Sequence, residues 1–191
     1  MINCNSIGAV MKHDPGGKSK PPWPEGSKVK AKLSDCDRYR YELSEIWNKD
    51  RTLVMFLMMN PSVAGIEHAD PTLIRTGRYA RAWGYGGQLV GNIHAYRLTD
   101  SRLLGTVEEP VGPKNDATLL HMAKRAEIVV IAYGLPPKPL RARAANVVEM
   151  LATIAKLKYL ALTKDGTPRH PGRLASTLVP LDFPPTQLGM R

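Results

Sequence analysis

The sequence predicts an α/β protein built on an open parallel sheet, and three observations carry that expectation. Apolar runs of strand length alternate with amphipathic runs of helix length between residues 52 and 162. The order strand, helix, strand, helix, strand, helix, strand belongs to parallel strands joined by right-handed crossovers. The first run, "TLVMFLMMN", is apolar at consecutive positions, as a strand covered on both faces must be. Polar residues then gather where each strand runs out, the edge at which such sheets bind their ligands.

Taken in order, residues 1–34 contain "HDPGGKSKPPWPEGSKVKAK", rich in Pro, Gly, Ser and Lys. Such a segment buries too little to order itself and reads as an extended basic arm, with Trp23 suited to pack onto the domain. Residues 35–191 read as a single α/β domain. "YRYELSEIW" alternates as a strand does and "NKD" turns it, so an antiparallel strand is expected to lead into "TLVMFLMMN". In "DPTLIRTGRYARAWGYGG", Asp70 is an N-cap with Pro71 at the first helical position. Leu73, Ile74 and Tyr79 recur at helical spacing, and the glycines from Gly84 to Gly87 stop the helix. "QLVGNIHAY" is the second core strand, "PKNDATLLHMAKRA" a helix, "EIVVIAYG" the third strand, "RARAANVVEMLATIA" a helix and "KYLAL" the fourth strand.

Length and composition set the class. At 191 residues the chain is one domain's worth of sequence, able to bury roughly 70% of its unfolded surface without a disulfide or metal staple. The two cysteines, Cys4 and Cys36, form no C-x-x-C pair and cannot hold zinc or an iron–sulfur cluster by thiolate alone. No apolar run reaches the roughly 18 residues of a membrane span, and the N-terminus lacks the order of a signal peptide. A cytoplasmic protein with free thiols and no membrane association is expected, a monomer being the favoured state. The formal net charge of +10 suits a polyanionic partner such as DNA or RNA, and equally a charge kept for solubility.

At the strand ends stand Asn60-Pro61-Ser62, then Asn92 followed by His94, then Tyr133-Gly134, then the loop "TKDGTPRHPGR". None resembles G-x-G-x-x-G or G-x-x-x-x-G-K-[ST], which disfavours a dinucleotide fold and a phosphate-loop NTPase. Asn60 offers a donor and an acceptor from one amide, with Pro61 fixing the turn after it; alone, the pair also reads as an ordinary strand-ending turn. Asn92 interrupts an apolar strand, where an unsatisfied amide costs roughly 1–3 kcal/mol, unless a neighbouring loop bonds it. His170 lies in a polar loop, where a histidine is commonly just solvated. Glu67, Asp70 and Asp116 are nearby carboxylates, with helix capping the competing role for Asp70 and Asp116. His68, His94 and Asp70 lack the spacing of a known metal signature, so no metal and no cofactor is expected.

At this point two resemblances enter. Across residues 36–183 the chain resembles a bacterial and phage family of uncharacterised domains, through "CDRYRYELSEIW", "FLMMNPSVAGIEHADPTLIRTGRYARAWGYGG", "GNIHAYRLTD", "PVGPKNDATL" and "TKDGTPRHP". More distantly, the order of strands and strand ends resembles the uracil-DNA glycosylase superfamily. That likeness implies a three-layer α/β sandwich with a four-stranded parallel sheet, here with an antiparallel N-terminal strand added. "MNPS" stands where members carry Asn-Pro-Gly, Asn92 where several carry a base-reading Asn, and "RHPGR" where they carry His-Pro-Ser.

Carried over, Asn60 would position the attacking water, Asn92 would read the Watson–Crick edge of an extruded base, and His170 would stabilise charge developing on it. Asp70 is a further candidate catalytic group. Ser62, Pro61 and Tyr79 are candidates to contact the base, and Lys164, Arg169 and Arg173 to hold flanking phosphates. The chain departs from the superfamily at Ser62 and Gly172, lacks its four iron–sulfur cysteines, and has no phenylalanine after the first motif. Tyr79, Trp83 or Tyr85 would have to replace that stacking ring. The expectation is a nucleic-acid base-processing protein, a DNA glycosylase-like hydrolase of an N-glycosidic bond. A non-catalytic nucleotide- or DNA-binding module and an enzyme acting on a free nucleoside or nucleotide are the alternatives.

Overall fold

The computed structural model describes residues 20–62 and 64–184. One seven-stranded sheet organises them: β1 (Lys28–Leu33), β2 (Arg40–Ile46), β3 (Leu53–Met58), β4 (Gly87–Asn92), β5 (Ile128–Ile131), β6 (Leu157–Tyr159) and β7 (Leu181–Asp182). Their spatial order is β1-β2-β4-β3-β5-β6-β7. The four inner strands β4, β3, β5 and β6 are mutually parallel, whereas β1, β2 and β7 run antiparallel to their neighbours. The sheet is therefore mixed and larger than expected, with the expected parallel strands as its centre.

Helices cover both faces. Along β3, Val54, Phe56 and Met58 face one side with Leu73, Tyr79 and Ala80 of α1 (Pro71–Ala82). Met55, Leu57 and Met59 face the other with Leu119 and Met122 of α2 (Asn115–Arg125) and Val147, Val148 and Leu151 of α3 (Arg141–Ala152). The period-two alternation of a strand thus serves two cores, which explains why the run is apolar at every position. Fully burying each such side chain contributes roughly 1.5–3 kcal/mol.

Three details differ from the expectation. The strand at residues 40–46 is antiparallel but pairs with β4, not with β3. β3 already has parallel partners on both edges, so it offers no free ladder. Lys28–Leu33, expected as arm, is extended but hydrogen-bonded along β2 as an edge strand. Its alternating Lys28, Lys30 and Lys32 are a device that discourages pairing with another chain. Trp23 packs against the α1-side core and donates its indole N–H to the Gly65 carbonyl at 3.1 Å. Residues 1–19 of the expected arm lie outside the described residues. β7, too short to read from sequence, closes the far edge.

A buried polar network binds the antiparallel strands to α1. Glu45 of β2 is only 1% exposed and accepts hydrogen bonds from Ser27 Oγ (2.6 Å), Arg81 Nη2 (2.8 Å) and Gln88 Nε2 (2.7 Å). Arg81 also lies over the Trp47 ring, 3.7 Å from its centroid.

On the other face, α2 approaches β4 closely at Gly91. A Cβ there would stand 2.6 Å from Leu119 Cδ2 and 2.9 Å from Met55 Cε. Gly91→Ala is accordingly expected to overpack this core and destabilise the protein by about 1–3 kcal/mol. Urea unfolding followed by circular dichroism measures it, and an unchanged midpoint would contradict the packing described.

Candidate functional site

The parallel register brings the strand ends level. Met58 pairs with Asn92 across β3 and β4, and Leu57 with Ile131 across β3 and β5. The ladders run on past the strands: Ile93 N donates to Met58 O (2.9 Å), His94 N to Met59 O (3.0 Å) and Ala132 N to Leu57 O (2.9 Å). The next residues open a cavity of about 530 Å³, lined by Asn60, Ser62, Asp70, Asn92, Tyr133 and His170, with Arg40 and apolar residues between them. That volume falls within the roughly 300–1,000 Å³ usual for small-ligand sites.

Asn60 is held by its nitrogen. Nδ2 donates to Leu98 O (2.6 Å) and Pro61 O (3.0 Å). Both partners are carbonyls, so only the NH2 end of the amide can face them and Oδ1 is left as an acceptor. The same contact staples the loop after β4 to the loop after β3, where Leu98 N also donates to Pro61 O (2.9 Å). A turn-forming role and a ligand-facing role therefore coexist on different atoms of one side chain.

Asn92 is the opposite case. It is 2% exposed, and its Nδ2 has no hydrogen-bond partner among the described residues. Its backbone carbonyl is taken by Asn115 Nδ2 at 3.0 Å, so the local partner serves the main chain and not the amide. Ser62 Oγ and Arg40 Nε are likewise buried without partners, and both residues line the same cavity.

His170 sits at the rim. Its Nδ1 accepts from Gly172 N (3.1 Å), which in the neutral ring places the proton on Nε2. Gly134 packs against it with φ +73°, and a Cβ there would be 3.2 Å from His170 Cβ. Only glycine tolerates both that backbone angle and that approach. A Cβ on Gly172 would stand 3.0 Å from Nδ1, so the small residue in "RHPGR" makes room for the imidazole.

Asp70 caps α1, with Oδ1 accepting from Leu73 N at 2.9 Å, and it also lines the cavity. Near it lies the buried guanidinium of Arg40, whose Nη1 donates to Ala64 O at 2.5 Å. Burial pushes Arg40 down to about 10; the Asp70 carboxylate works against that shift and Arg97 adds to it. Tyr133, buried at the end of β5, is raised to about 12 by burial and keeps its proton.

Several expected members lie elsewhere. Tyr79 is 1% exposed, stacks on Trp83 and donates its hydroxyl to Ala175 O (2.6 Å), so it cannot stack on a ligand in this cavity. Trp83 is similarly engaged with Leu178 O (3.0 Å), and Tyr85 lines no part of the cavity. The aromatic ring that does line it is Tyr133. Pro61 is buried behind Asn60 and does not reach the cavity. Asp116 caps nothing; it sits in the first turn of α2 and pairs with Arg143. Glu67 and His68 are exposed outside the cavity. Lys164, Arg169 and Arg173 are exposed on the loop that carries His170. Among the described residues, no three His, Cys, Asp or Glu side chains group to hold a metal ion. No helix among them is long and apolar enough to cross a membrane.

Arg40 escaped the sequence reading. Its signal was a charge inside "YRYELSEIW", at a strand position flanked by two tyrosines that are themselves buried.

A family model described as a protein of unknown function (DUF1643) matches residues 40–172. The chain belongs to that DUF1643 family. No curated protein and no solved structure gives a significant match. The DUF1643 span begins at Arg40 and ends two residues past His170, so it takes in every residue named above as lining the cavity.

Behind the DUF1643 cavity, His94 is fully buried. Burial first, and then the nearby Arg143 guanidinium, lower it from 6.5 to about 4, against a smaller backbone contribution from Met59. The unfolded chain therefore binds a proton below about pH 6.5 that the folded protein refuses until about pH 4. The contribution is fully present above that window and is lost as pH falls through it, to the extent of about 3 kcal/mol. His94→Gln is expected to flatten this part of the stability–pH curve. Chemical unfolding at steps from pH 7 to pH 4 tests it; parallel curves for variant and wild type would contradict it.

Proposed function

We propose that the cavity binds a nucleobase and that the protein is a glycosylase-like hydrolase of an N-glycosidic bond, acting on a base extruded from nucleic acid. The observation that carries the reading is the Asn92 amide: a donor buried at the end of a core strand, without a partner among the described residues, in a cavity it shares with Asn60 and His170. An unmade hydrogen bond of this kind costs roughly 1–3 kcal/mol, and a base carbonyl would relieve it. The resemblance of "MNPS", Asn92 and "RHPGR" to the uracil-DNA glycosylase superfamily supports the same assignment.

In this reading water adds to the sugar C1′ while the C1′–N bond breaks and its electron pair leaves with the base. Asn60 Oδ1 accepts from the attacking water. His170 Nε2–H and Asn92 Nδ2–H donate to base oxygens, where negative charge grows. Removing one such preorganised donor typically lowers kcat by about 10²–10³-fold. The water's proton needs an acceptor, and the Asp70 oxygen not used in capping is the cavity's carboxylate.

Two contacts favour a second reading, a pocket that binds a base or nucleotide without turnover. Asp70 already spends Oδ1 on the α1 cap, and Asn60 is fixed through its nitrogen to two carbonyls. Both contacts make sense as scaffold alone.

Incubation with oligonucleotides bearing uracil or phage-type modified bases, followed by alkali, is expected to give strand breaks at one modified position. Asn92→Ala removes a donor that has no partner among the described residues, so stability should not fall by more than about 1 kcal/mol while base release falls by about 10²-fold or more. No abasic product across a broad panel, with the base still bound at equilibrium, would decide for the second reading. An Asn92→Ala protein as active as wild type would overturn the site.

A further inference from the structure

A second concavity, of about 340 Å³, is built from two of the elements that also line the cavity. α1 contributes Pro71, Thr72 and Leu73 to the cavity and Arg75, Arg78 and Tyr79 to this groove. The chain leaving β6 contributes His170 to the cavity and Leu174 and Ser176 to the groove. The two concavities therefore share α1 and the segment around and after His170 as walls, the groove lying further along the helix than the cavity.

The groove is preformed. Arg75, Tyr79 and Trp83 recur every four residues, on one stripe of the helix and its first following residue. Each donates to a main-chain carbonyl of the opposite wall: Arg75 Nη1 to Leu174 (2.6 Å), Tyr79 Oη to Ala175 (2.6 Å) and Trp83 Nε1 to Leu178 (3.0 Å). Arg75 uses one N–H in this way, and the rest of its planar fork is held in place by it.

The groove is also positively charged without internal compensation. Among the described residues no carboxylate lines it, and neither Arg75 nor Arg78 has an ion-pair partner. This contrasts with Arg81, Arg97, Arg102, Arg125 and Arg143, each of which faces a carboxylate. Lys164, Arg169 and Arg173 extend the basic surface on the His170 loop.

We infer that this groove is the track for a phosphodiester backbone, with Arg75 and Arg78 contacting phosphates next to the nucleotide held in the cavity. The inference rests on the reading of the cavity as a base pocket. Phosphate contacts of this kind position a strand without reading its sequence. The unneutralised arginines supply charge, and the bond from Arg75 to the Leu174 carbonyl holds its guanidinium in place.

The test uses the full chain and three fluorescein-labelled probes of one mixed sequence: single-stranded DNA, its duplex and single-stranded RNA. Anisotropy titrations across a salt series give affinity and salt slope, and whichever probe binds tightest identifies the source of the backbone. Arg78→Gln is exposed and leaves folding intact; Arg75→Gln also loses the Leu174 bond, so Arg75→Lys serves as its charge-preserving companion. Each Gln substitution is expected to weaken binding roughly fivefold and to reduce the slope by about 0.7 on single strands, or about 0.9 on duplex. Arg75→Lys should keep the slope. Unchanged slope and affinity in the double Gln variant, or no wild-type binding to any probe at low salt, would overturn the track. The base pocket fails separately: salt-dependent binding that maps to both arginines, with no base bound or released and no effect of Asn92→Ala, upholds the track and removes the pocket. Base release from free nucleosides without nucleic-acid binding does the reverse.

Discussion

β3 is held between two parallel partners, and the site depends on that pairing. With β4 on one edge and β5 on the other, and helices over both faces, the strand has no solvent-facing side on which a polar residue could stand. Polar chemistry is confined to the level where the ladders stop. Because Met58 faces Asn92 and Leu57 faces Ile131, the three ends stop together, and Asn60, Asn92 and Tyr133 emerge around one opening. A slip of one residue in the β3–β4 pairing would turn Asn92 to the opposite face and leave the cavity without its buried donor.

α1 connects this opening to the rest of the molecule. Its N-terminus is capped by Asp70 at the cavity wall, and its side chains pin the segment that follows His170. Its last turn is tied through Arg81 to Glu45, and so to the antiparallel strands. The histidine loop, short of secondary structure of its own, thus borrows rigidity from a helix that is itself fixed at both ends. Gly134 completes the arrangement by letting the β5 loop lie directly against His170.

Much of this was legible in the sequence, for identifiable reasons. A doubly buried strand announces itself by lacking alternation, and a polar residue such as Asn92 stands out against it. Asn60 stands out by the same contrast at a strand end, whereas His170, in a polar loop, is singled out only by the resemblance of "RHPGR" to a His-Pro-Ser motif. Tyr79 was misplaced because helical spacing tells which residues share a stripe but not whether a ring points to a ligand or to the chain crossing behind it. β1 was missed because alternating lysines resemble a solvated arm until a partner strand supplies the hydrogen bonds. Arg40 was missed because a buried charge is justified only by long-range neighbours, here Ala64 and Asp70, some 24 and 30 positions further along. The β2 pairing was misjudged because adjacency in sequence favours hairpins, whereas the open ladder belonged to β4.

The central claim is that Asn60, Asn92 and His170 form one ligand site, and side-chain NMR tests it most directly. In isotope-labelled protein titrated with nucleosides, the Asn60 and Asn92 amide resonances and the His170 ring resonances should shift together, with a common saturation point. Asn92 should show the largest change, as its nitrogen acquires its first partner. Shifts that saturate at different concentrations, or none at Asn92 under conditions where a nucleoside binds, would contradict the claim.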